Sequence, residues 1–170
     1  MSKEKTTTHT SALVQEFSAA RRASVPLLAI ETTDPAQVIR AIATTVNGDA
    51  PVITWDPVRG LAAAPGNSKA ESAIAKALGQ ASVPQIAMTV NLVVALKVAG
   101  LFPEYSVLII MNAHRVVVDL QPMQAVWLLR DVYKLNNRTA VLLAPHWSMP
   151  AELKHDVVLY REPLPTREQL

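Results

Sequence analysis

The sequence predicts an α/β fold, a three-layer sandwich in which helices cover both faces of a mostly parallel five-stranded sheet. Short apolar runs alternate with helix-like segments along the chain, which is the order expected of such a sheet. Three of the five candidate strands are apolar throughout, as strands buried on both faces are. No repeat or linker divides the chain, so we expect a single domain over residues 11–170.

Composition limits the classes of function. The 170 residues are 50% hydrophobic and carry a formal charge of only +2, which argues against direct binding of nucleic acid or of an anionic membrane. The chain has no cysteine, which excludes disulfides and thiol catalysis and fits a reducing, cytoplasmic location.

Two stretches need separate interpretation. The first ten residues, MSKEKTTTHT, lack the apolar core of a signal peptide and predict a disordered tail over 1–10. Residues 77–96 carry no charge and are about long enough to cross a bilayer. Polar and helix-breaking residues interrupt that run, however, so it predicts a helix buried in a protein core.

The first half of the chain has two clear helix starts. Asp34 and Pro35 stand where an N-cap and a first helical residue belong, and Ser68 with Glu71 forms a capping-box pattern. The predicted elements of this half are a helix over 10–22, a strand over 25–32, a helix from Pro35 to about 46, a strand over 51–55, a helix over 68–79 and a helix over 83–98.

The second half is organised around the segment SVLIIMNAH at residues 106–114, which predicts a central buried strand. A helix is expected to follow from Asp119, then a buried strand over 139–144, a loop over 145–150 and a short last strand over 157–160. The predicted buried stripe of that helix consists of Ala125, Leu128, Leu129, Val132 and Leu135.

Polar residues follow several of the predicted strands. Ligands of parallel sheets bind outside the carboxyl ends of the strands, so the candidate site residues are Glu31, Asp56, Asn112 and His114. One hypothesis is therefore a small nucleotide-binding protein or enzyme that uses this edge.

The four histidines give weaker signals. His114 and His146 follow neighbouring strands and could share a small site with Asn112 and Ser148, although surface histidines are the favoured interpretation. None has the spacing of a metal ligand set, so no metal site is predicted. No nucleophile-elbow motif supports Ser–His–acid catalysis.

The order of motifs suggests a family. The segments VPLLAIETTDPAQVIRAIA, VITWDPVRGL, SVLIIMNAH and TAVLLAPHWSMPAELKHDVVLYREPLPTREQL together resemble AAA+ ATPases. More closely, they resemble the non-catalytic N-terminal domain that precedes the ATPase module in Ycf46-type proteins. Thr54, Trp55, Asp56, Gly60 and Leu61 stand in the T-W-D-x-x-x-G-L pattern of that family. The resemblance implies a degenerate, P-loop NTPase-like or RecA-like domain.

The chain departs from a working ATPase in two places. The segment ETTDP after the first strand has neither glycine nor lysine, and no G-K-[ST] occurs anywhere. The Mg²⁺-holding acid is replaced by Asn112. The segment PGNSK at 65–69 lacks the first glycine of a phosphate loop, and we interpret it as a loop with a helix cap. We therefore predict no ATP hydrolysis and no cofactor.

The favoured hypothesis is a regulatory or assembly module of an AAA+ ATPase, which acts through a protein partner or through self-association. Trp55, Trp127 and Trp147 are candidate core or interface anchors, and Trp127 lies one position off the predicted stripe. A nucleic-acid adaptor is a third and less favoured hypothesis because the net charge is nearly neutral.

Overall fold

A computed structural model describes residues 2–163 of the chain. Six strands form one sheet in the order β3-β2-β4-β5-β1-β6, and every neighbouring pair is parallel except β2 with β3. The elements are α1 (Ser2–Arg22), β1 (Leu27–Glu31), α2 (Pro35–Val46), β2 (Val52–Asp56), β3 (Gly60–Ala63), α3 (Ser68–Gln80), a 3₁₀ turn (Ile86–Val90), α4 (Leu92–Ala99), β4 (Val107–Ile110), α5 (Ala113–Val116), α6 (Leu120–Leu135), β5 (Thr139–Ala144) and β6 (Val158–Arg161).

The predicted α/β class and its mostly parallel sheet are confirmed. Alternate residues of each strand point to opposite faces, and each face has its own core. In β1, Leu28 and Ile30 belong to the core that α1 and α2 cover, whereas Leu27 and Ala29 belong to the core on the other face, which also contains residues of α3, α4 and α6. Helices therefore cover both faces and make three layers.

The sheet has six strands, not the five that were predicted. The additional strand is β3, which folds back antiparallel on β2 and pairs Ala63 with Ile53. This strand is absent from the predicted elements, since its segment is short, follows a Pro-containing turn and begins with Gly60. Pairing along the edge of the sheet satisfies its backbone groups, and this non-local stabilisation cannot be recognised from four residues of sequence.

Helix α1 begins earlier than predicted. The predicted helix covered 10–22 and followed a disordered tail, whereas α1 runs from Ser2 to Arg22, so residues 2–10 belong to a helix. The first 22 residues contain neither glycine nor proline, and nothing in them stops the helix.

The predicted helix over 83–98 is divided into two elements. A 3₁₀ turn ends at Val90, and α4 begins after Asn91, whose side chain accepts a hydrogen bond from the Val94 N–H at 3.2 Å. Asn91 is thus the N-cap of a new helix, which explains why the helix does not continue through it.

Helix α6 presents a different face to the core from the one predicted. Of the predicted stripe, only Leu129 is fully buried; Leu128, Val132 and Leu135 are exposed. The buried residues are Met123, Val126, Leu129 and Tyr133. Tyr133 can be buried because its hydroxyl donates a hydrogen bond to the Ala99 carbonyl at 2.9 Å.

The two predicted helix starts have different outcomes. Asp34 caps α2 as predicted, accepting from the Gln37 N–H at 3.0 Å, with Pro35 as the first helical residue. In α3, however, the cap is Asn67 and not Ser68. The Asn67 side chain accepts from the Ala70 N–H and donates to the Ala50 carbonyl, both at 3.0 Å, and it is buried.

We expect Asn67→Ala to lower the free energy of unfolding by about 2 kcal/mol, because it removes the cap and leaves the buried Ala50 carbonyl without its donor. Ser68→Ala is the matched control and should have no effect, since Ser68 is exposed and is not the cap. Urea denaturation of both variants measures the difference. Equal losses would support the predicted capping box instead.

Candidate functional site at the carboxyl edge of the sheet

The four candidate residues lie at the carboxyl ends of strands, along one edge of the sheet. Glu31 ends β1, Asp56 ends β2, Asn112 follows β4, and His114 lies in α5. Strands β4 and β5 lie between β1 and β2, so Glu31 and Asp56 are three strand positions apart, roughly 14 Å. The four residues therefore do not meet in one site.

A small depression lies between the ends of β1, β4 and β5. Its volume is about 200 Å³, and it is lined by Thr32, Thr33, Pro35, Met111, Asn112, Leu143, Ala144 and Pro145. None of these lining residues is charged. The volume falls below the roughly 300 Å³ at which pockets for drug-sized ligands begin.

The first turn of α2 opens onto this depression, and two backbone N–H donors at this point already have side-chain acceptors. The Asp34 carboxylate accepts from the Gln37 N–H at 3.0 Å, and the Thr32 hydroxyl oxygen accepts from the Asp34 N–H at 3.0 Å. The Thr32 hydroxyl in turn donates to Glu162 at 2.5 Å. A carboxylate therefore occupies the place at the helix N-terminus that a phosphate would take.

The Glu31 carboxylate, at the end of β1, forms hydrogen bonds with the loop after β5 and with strand β6. Its Oε2 accepts from the backbone N–H of Trp147 at 3.0 Å and from Arg161 Nε at 3.4 Å, and it lies 3.7 Å from His146 Nδ1. With 15% of its side chain exposed, Glu31 is directed at these partners rather than at open solvent. It borders a second depression of about 220 Å³, which also includes Glu162.

Asp56 closes the turn between β2 and β3. Its carboxylate accepts from the N–H groups of Val58 and Arg59 at 2.9 and 2.8 Å and from Arg59 Nε at 2.7 Å. Burial acts to raise the pKa of Asp56, but the hydrogen bonds from Arg59 and Val58 outweigh it and hold the pKa below its ordinary value. An ionised, fully engaged carboxylate of this kind stabilises a turn and is a poor general base.

His114 packs against the loop after β5. Its ring meets the Trp147 ring edge-to-face, with centroids 6.5 Å apart and planes at 79°. Burial, followed by the electrostatic influence of Arg115 and then of His146, lowers the pKa of His114. His114 therefore belongs to a packed contact, whereas Ser148 is exposed.

Asn112 has a conformational role. It adopts a left-handed conformation, with φ 50° and ψ 38°, between β4 and α5, and its side chain makes no capping hydrogen bond. Asparagine tolerates this conformation better than most residues. Its exposed amide lines the smaller depression and has no acidic neighbour among that depression's lining residues.

Neither a metal cluster nor a membrane span is found in the described part of the chain. Within residues 2–163, no three histidine, cysteine, aspartate or glutamate side chains come together as metal ligands do. In the same residues, no helix combines the length and the apolar character needed to cross a bilayer.

The T-W-D-x-x-x-G-L residues join the β2–β3 hairpin to the 3₁₀ turn. Trp55 Nε1 donates to the Thr89 carbonyl at 2.6 Å, and the Thr89 hydroxyl accepts from the Leu61 N–H at 3.0 Å. Thr89 is completely buried and also donates to the Ile86 carbonyl at 2.6 Å. The motif therefore stabilises the fold at this point, far along the sheet from Glu31.

The other two tryptophans differ in environment. Trp147 is buried in the core, whereas Trp127 is partly buried and lies beneath the Arg130 guanidinium, 4.5 Å from its ring centroid. Trp127 is therefore a core-edge residue, as its position beside the predicted stripe suggested.

The sequence did not indicate a third concave surface, an apolar groove of about 790 Å³ between α4 and α6. Its lining includes Val93 and Leu96 from α4 and Leu128, Leu129 and Val132 from α6. The only signal was the apolar stripe itself, which was assigned to the core. Because α6 directs a different face to the core from the one predicted, part of the stripe lies at the surface and lines this groove.

Comparisons with known proteins identify the family. No curated protein and no solved structure matches the chain at a significant level. A family model described as "SpoVK-like AAA ATPase, N-terminal domain" matches residues 13–161, which is most of the chain and includes all six strands. The chain belongs to the SpoVK-like AAA ATPase N-terminal domain family.

Proposed function

We propose that this domain is a non-catalytic regulatory or assembly domain of an AAA+ ATPase, which acts by contacting protein and does not itself bind or hydrolyse nucleotide. The observation that carries the proposal is the first turn of α2. The Thr32 hydroxyl and the Asp34 carboxylate accept from two backbone N–H groups there, and Glu162 adds a second carboxylate nearby, where an ATPase would hold phosphate.

The other polar residues of the edge support the same proposal. Glu31 and Asp56 are engaged in structural hydrogen bonds, and no lysine or arginine lines the depression beside α2. A nucleotide site needs cations or Mg²⁺ to offset phosphate charge. The sequence also lacks a G-K-[ST] loop, so we infer that the domain is a degenerate relative of P-loop proteins.

The narrower likeness to Ycf46-type proteins belongs to this proposal. It is supported by Thr54, Trp55, Asp56, Gly60 and Leu61, which stand in the pattern of that family. In this domain those residues stabilise the hairpin and so help to hold the shape of the surface beside it. We infer that the surface recruits a protein partner or a further copy of the chain.

Calorimetric titration with ATP, ADP and GTP, each with Mg²⁺, tests the absence of a nucleotide site. We expect no binding tighter than about 100 μM, equivalent to roughly 5.5 kcal/mol, and no phosphate release. Tighter binding that Asn112→Ala abolishes would overturn the proposal and establish a nucleotide site at the sheet edge. The Ser68→Ala variant, altered far from that edge, is the control for folding.

A further inference from the structure

We propose that two copies of this chain associate through the groove between α4 and α6, each inserting its α6 into the groove of the other. This inference rests on the proposed function, in that it names the partner of a domain that works through protein contact. The observations that carry it are an exposed apolar ridge, a groove of matching character beside it, and charges placed to pair across a two-fold axis.

The ridge consists of α6 residues that the single chain leaves in solvent. Leu128 is 54% exposed, Val132 41% and Leu135 83%, and at this spacing the three lie on one side of the helix. Leu120, at the start of the same helix, is 74% exposed. Contiguous exposed apolar side chains on a soluble domain mark an interaction surface.

Helix α6 forms both the ridge and one wall of the groove, which favours a second copy as the occupant. Leu128 and Val132 both line the groove and form the ridge. A two-fold axis beside α6 would therefore place the ridge of each copy against the groove of the other. Helix α6 has 16 residues, a length of about 24 Å. Two α4–α6 pairs would then form a four-helix bundle, in which each apolar ridge is buried.

Charges select the antiparallel arrangement. Asp119 precedes α6 and Lys134 lies in its last turn, so an antiparallel pair of α6 helices brings acid near base at both ends. A parallel pair would place like charges together. Opposed helix dipoles favour the same arrangement.

A second charge pair lies along the groove. Lys97 lines the groove and is exposed, and it makes no ion pair with any described residue. Asp131, on α6 beside the ridge, has a side chain that is 69% exposed and pairs with the neighbouring Arg130 side chain at 3.1 Å. We expect Asp131 of each copy to approach Lys97 of the other when the ridge enters the groove.

The remaining lining does not favour a nucleic acid or a strongly charged peptide. Besides Lys97, its polar side chains are the uncharged Gln121 and Gln124. Neutral amides around an apolar centre are typical of a protein–protein contact, in which charged residues are few at the core.

Sedimentation velocity of the full chain at about 100 μM tests the contact, since a dimer with a micromolar dissociation constant would predominate there. We expect a dimer, and we expect Leu128→Asp to convert it to a monomer with an unchanged circular dichroism spectrum. Val58→Asp is the matched control: it places the same charge on an apolar residue that is 83% exposed at the β2–β3 turn, and it should remain dimeric.

Charge reversal tests the arrangement within the dimer. Lys97→Glu should weaken association about tenfold, and combining it with Asp131→Lys in the same chain should restore most of that loss, because the pair then forms with exchanged signs. Lys97→Glu with an unchanged dissociation constant would overturn the antiparallel placement.

A monomer at about 100 μM would overturn the inference, as would a dimer that survives Leu128→Asp. If the full chain were a monomer and deletion of residues 164–170 produced a dimer, the groove would be assigned to the chain's own terminus, and the inference would fail in that case too. These outcomes are separate from the nucleotide titration. A monomer that binds no nucleotide contradicts only the dimer contact, whereas a dimer that binds ATP contradicts only the non-catalytic proposal.

Discussion

Replacing Arg138 by methionine is expected to lower the free energy of unfolding by about 4 kcal/mol. Arg138 is only 3% exposed, and its guanidinium connects two helices and a loop. Nη1 donates to the carbonyls of Gly100 and Phe102, both at 2.8 Å, and Nη2 donates to the Val132 carbonyl at 3.2 Å.

The positions of these carbonyls explain the size of the effect. Gly100 caps the end of α4, and Val132 lies in the last turn of α6, where carbonyl groups have no N–H partner within the helix. The guanidinium supplies donors there and places a positive charge at the negative ends of two helix dipoles. Methionine fills much of the volume but leaves three carbonyls without a donor, at roughly 1 kcal/mol or more each.

Arg138 also packs over the Tyr133 ring, with its guanidinium carbon 4.9 Å from the centroid. Burial lowers the pKa of Arg138, against the opposing influence of Tyr133 and Glu104. Burial removes the guanidinium from water, a cost that its hydrogen bonds to the three carbonyls offset.

Urea denaturation of three variants isolates this contribution. Arg138→Lys keeps the charge but offers one ammonium group in place of the planar fork, and should recover about half of the loss. Arg40→Met, on the exposed side of α2, removes the same charge without the contacts and should leave the midpoint unchanged. A loss below about 1 kcal/mol for Arg138→Met would show that water replaces the guanidinium there.

The parts of the fold that the sequence predicted are those governed by local signals. Strands β4 and β5 are short runs of apolar residues, and they are buried along their whole length. The start of α2 was predicted from Asp34 and Pro35 alone, because capping depends on residues within one turn.

The parts that were missed depend on distant contacts. The face of α6 that enters the core includes Tyr133, whose hydroxyl bonds a carbonyl 34 residues earlier in the chain. Arg138 likewise contacts residues 36 and 38 positions away. Strand β3 exists because β2 offers an edge to pair with. None of these partners can be identified from residue types in a short window.

The same distinction applies to the candidate site. Glu31 and Asp56 were placed correctly at strand ends, since strand ends follow from local pattern. Their partners were not predictable: the Glu31 carboxylate accepts from the backbone N–H of Trp147, 116 residues later, and Asp56 closes a hairpin that the sequence did not indicate. The location of a polar residue at a strand end can therefore be predicted from local sequence, whereas its role depends on distant contacts that the local sequence does not show.

Gly60→Ala should lower the free energy of unfolding by about 3 kcal/mol, the second-largest effect that we expect. Gly60 has φ +73°, a conformation that L side chains rarely adopt. An added Cβ would also collide with the Thr89 hydroxyl and lie 3.0 Å from the Thr89 carbonyl carbon and from the Val90 nitrogen.

Gly66→Ala separates the two causes. Gly66 has almost the same conformation, φ +76°, but a Cβ there meets nothing within 4 Å, so only the conformational cost of about 1 kcal/mol should remain. The difference between the two variants in urea denaturation then measures the close approach of the hairpin to the 3₁₀ turn. Equal losses would mean that the turn moves aside at little cost. A larger loss for Gly60→Ala would mean that the buried Thr89, bonded to Trp55 and Leu61, holds the turn in place, and that the glycine of the T-W-D-x-x-x-G-L pattern is required for this packing.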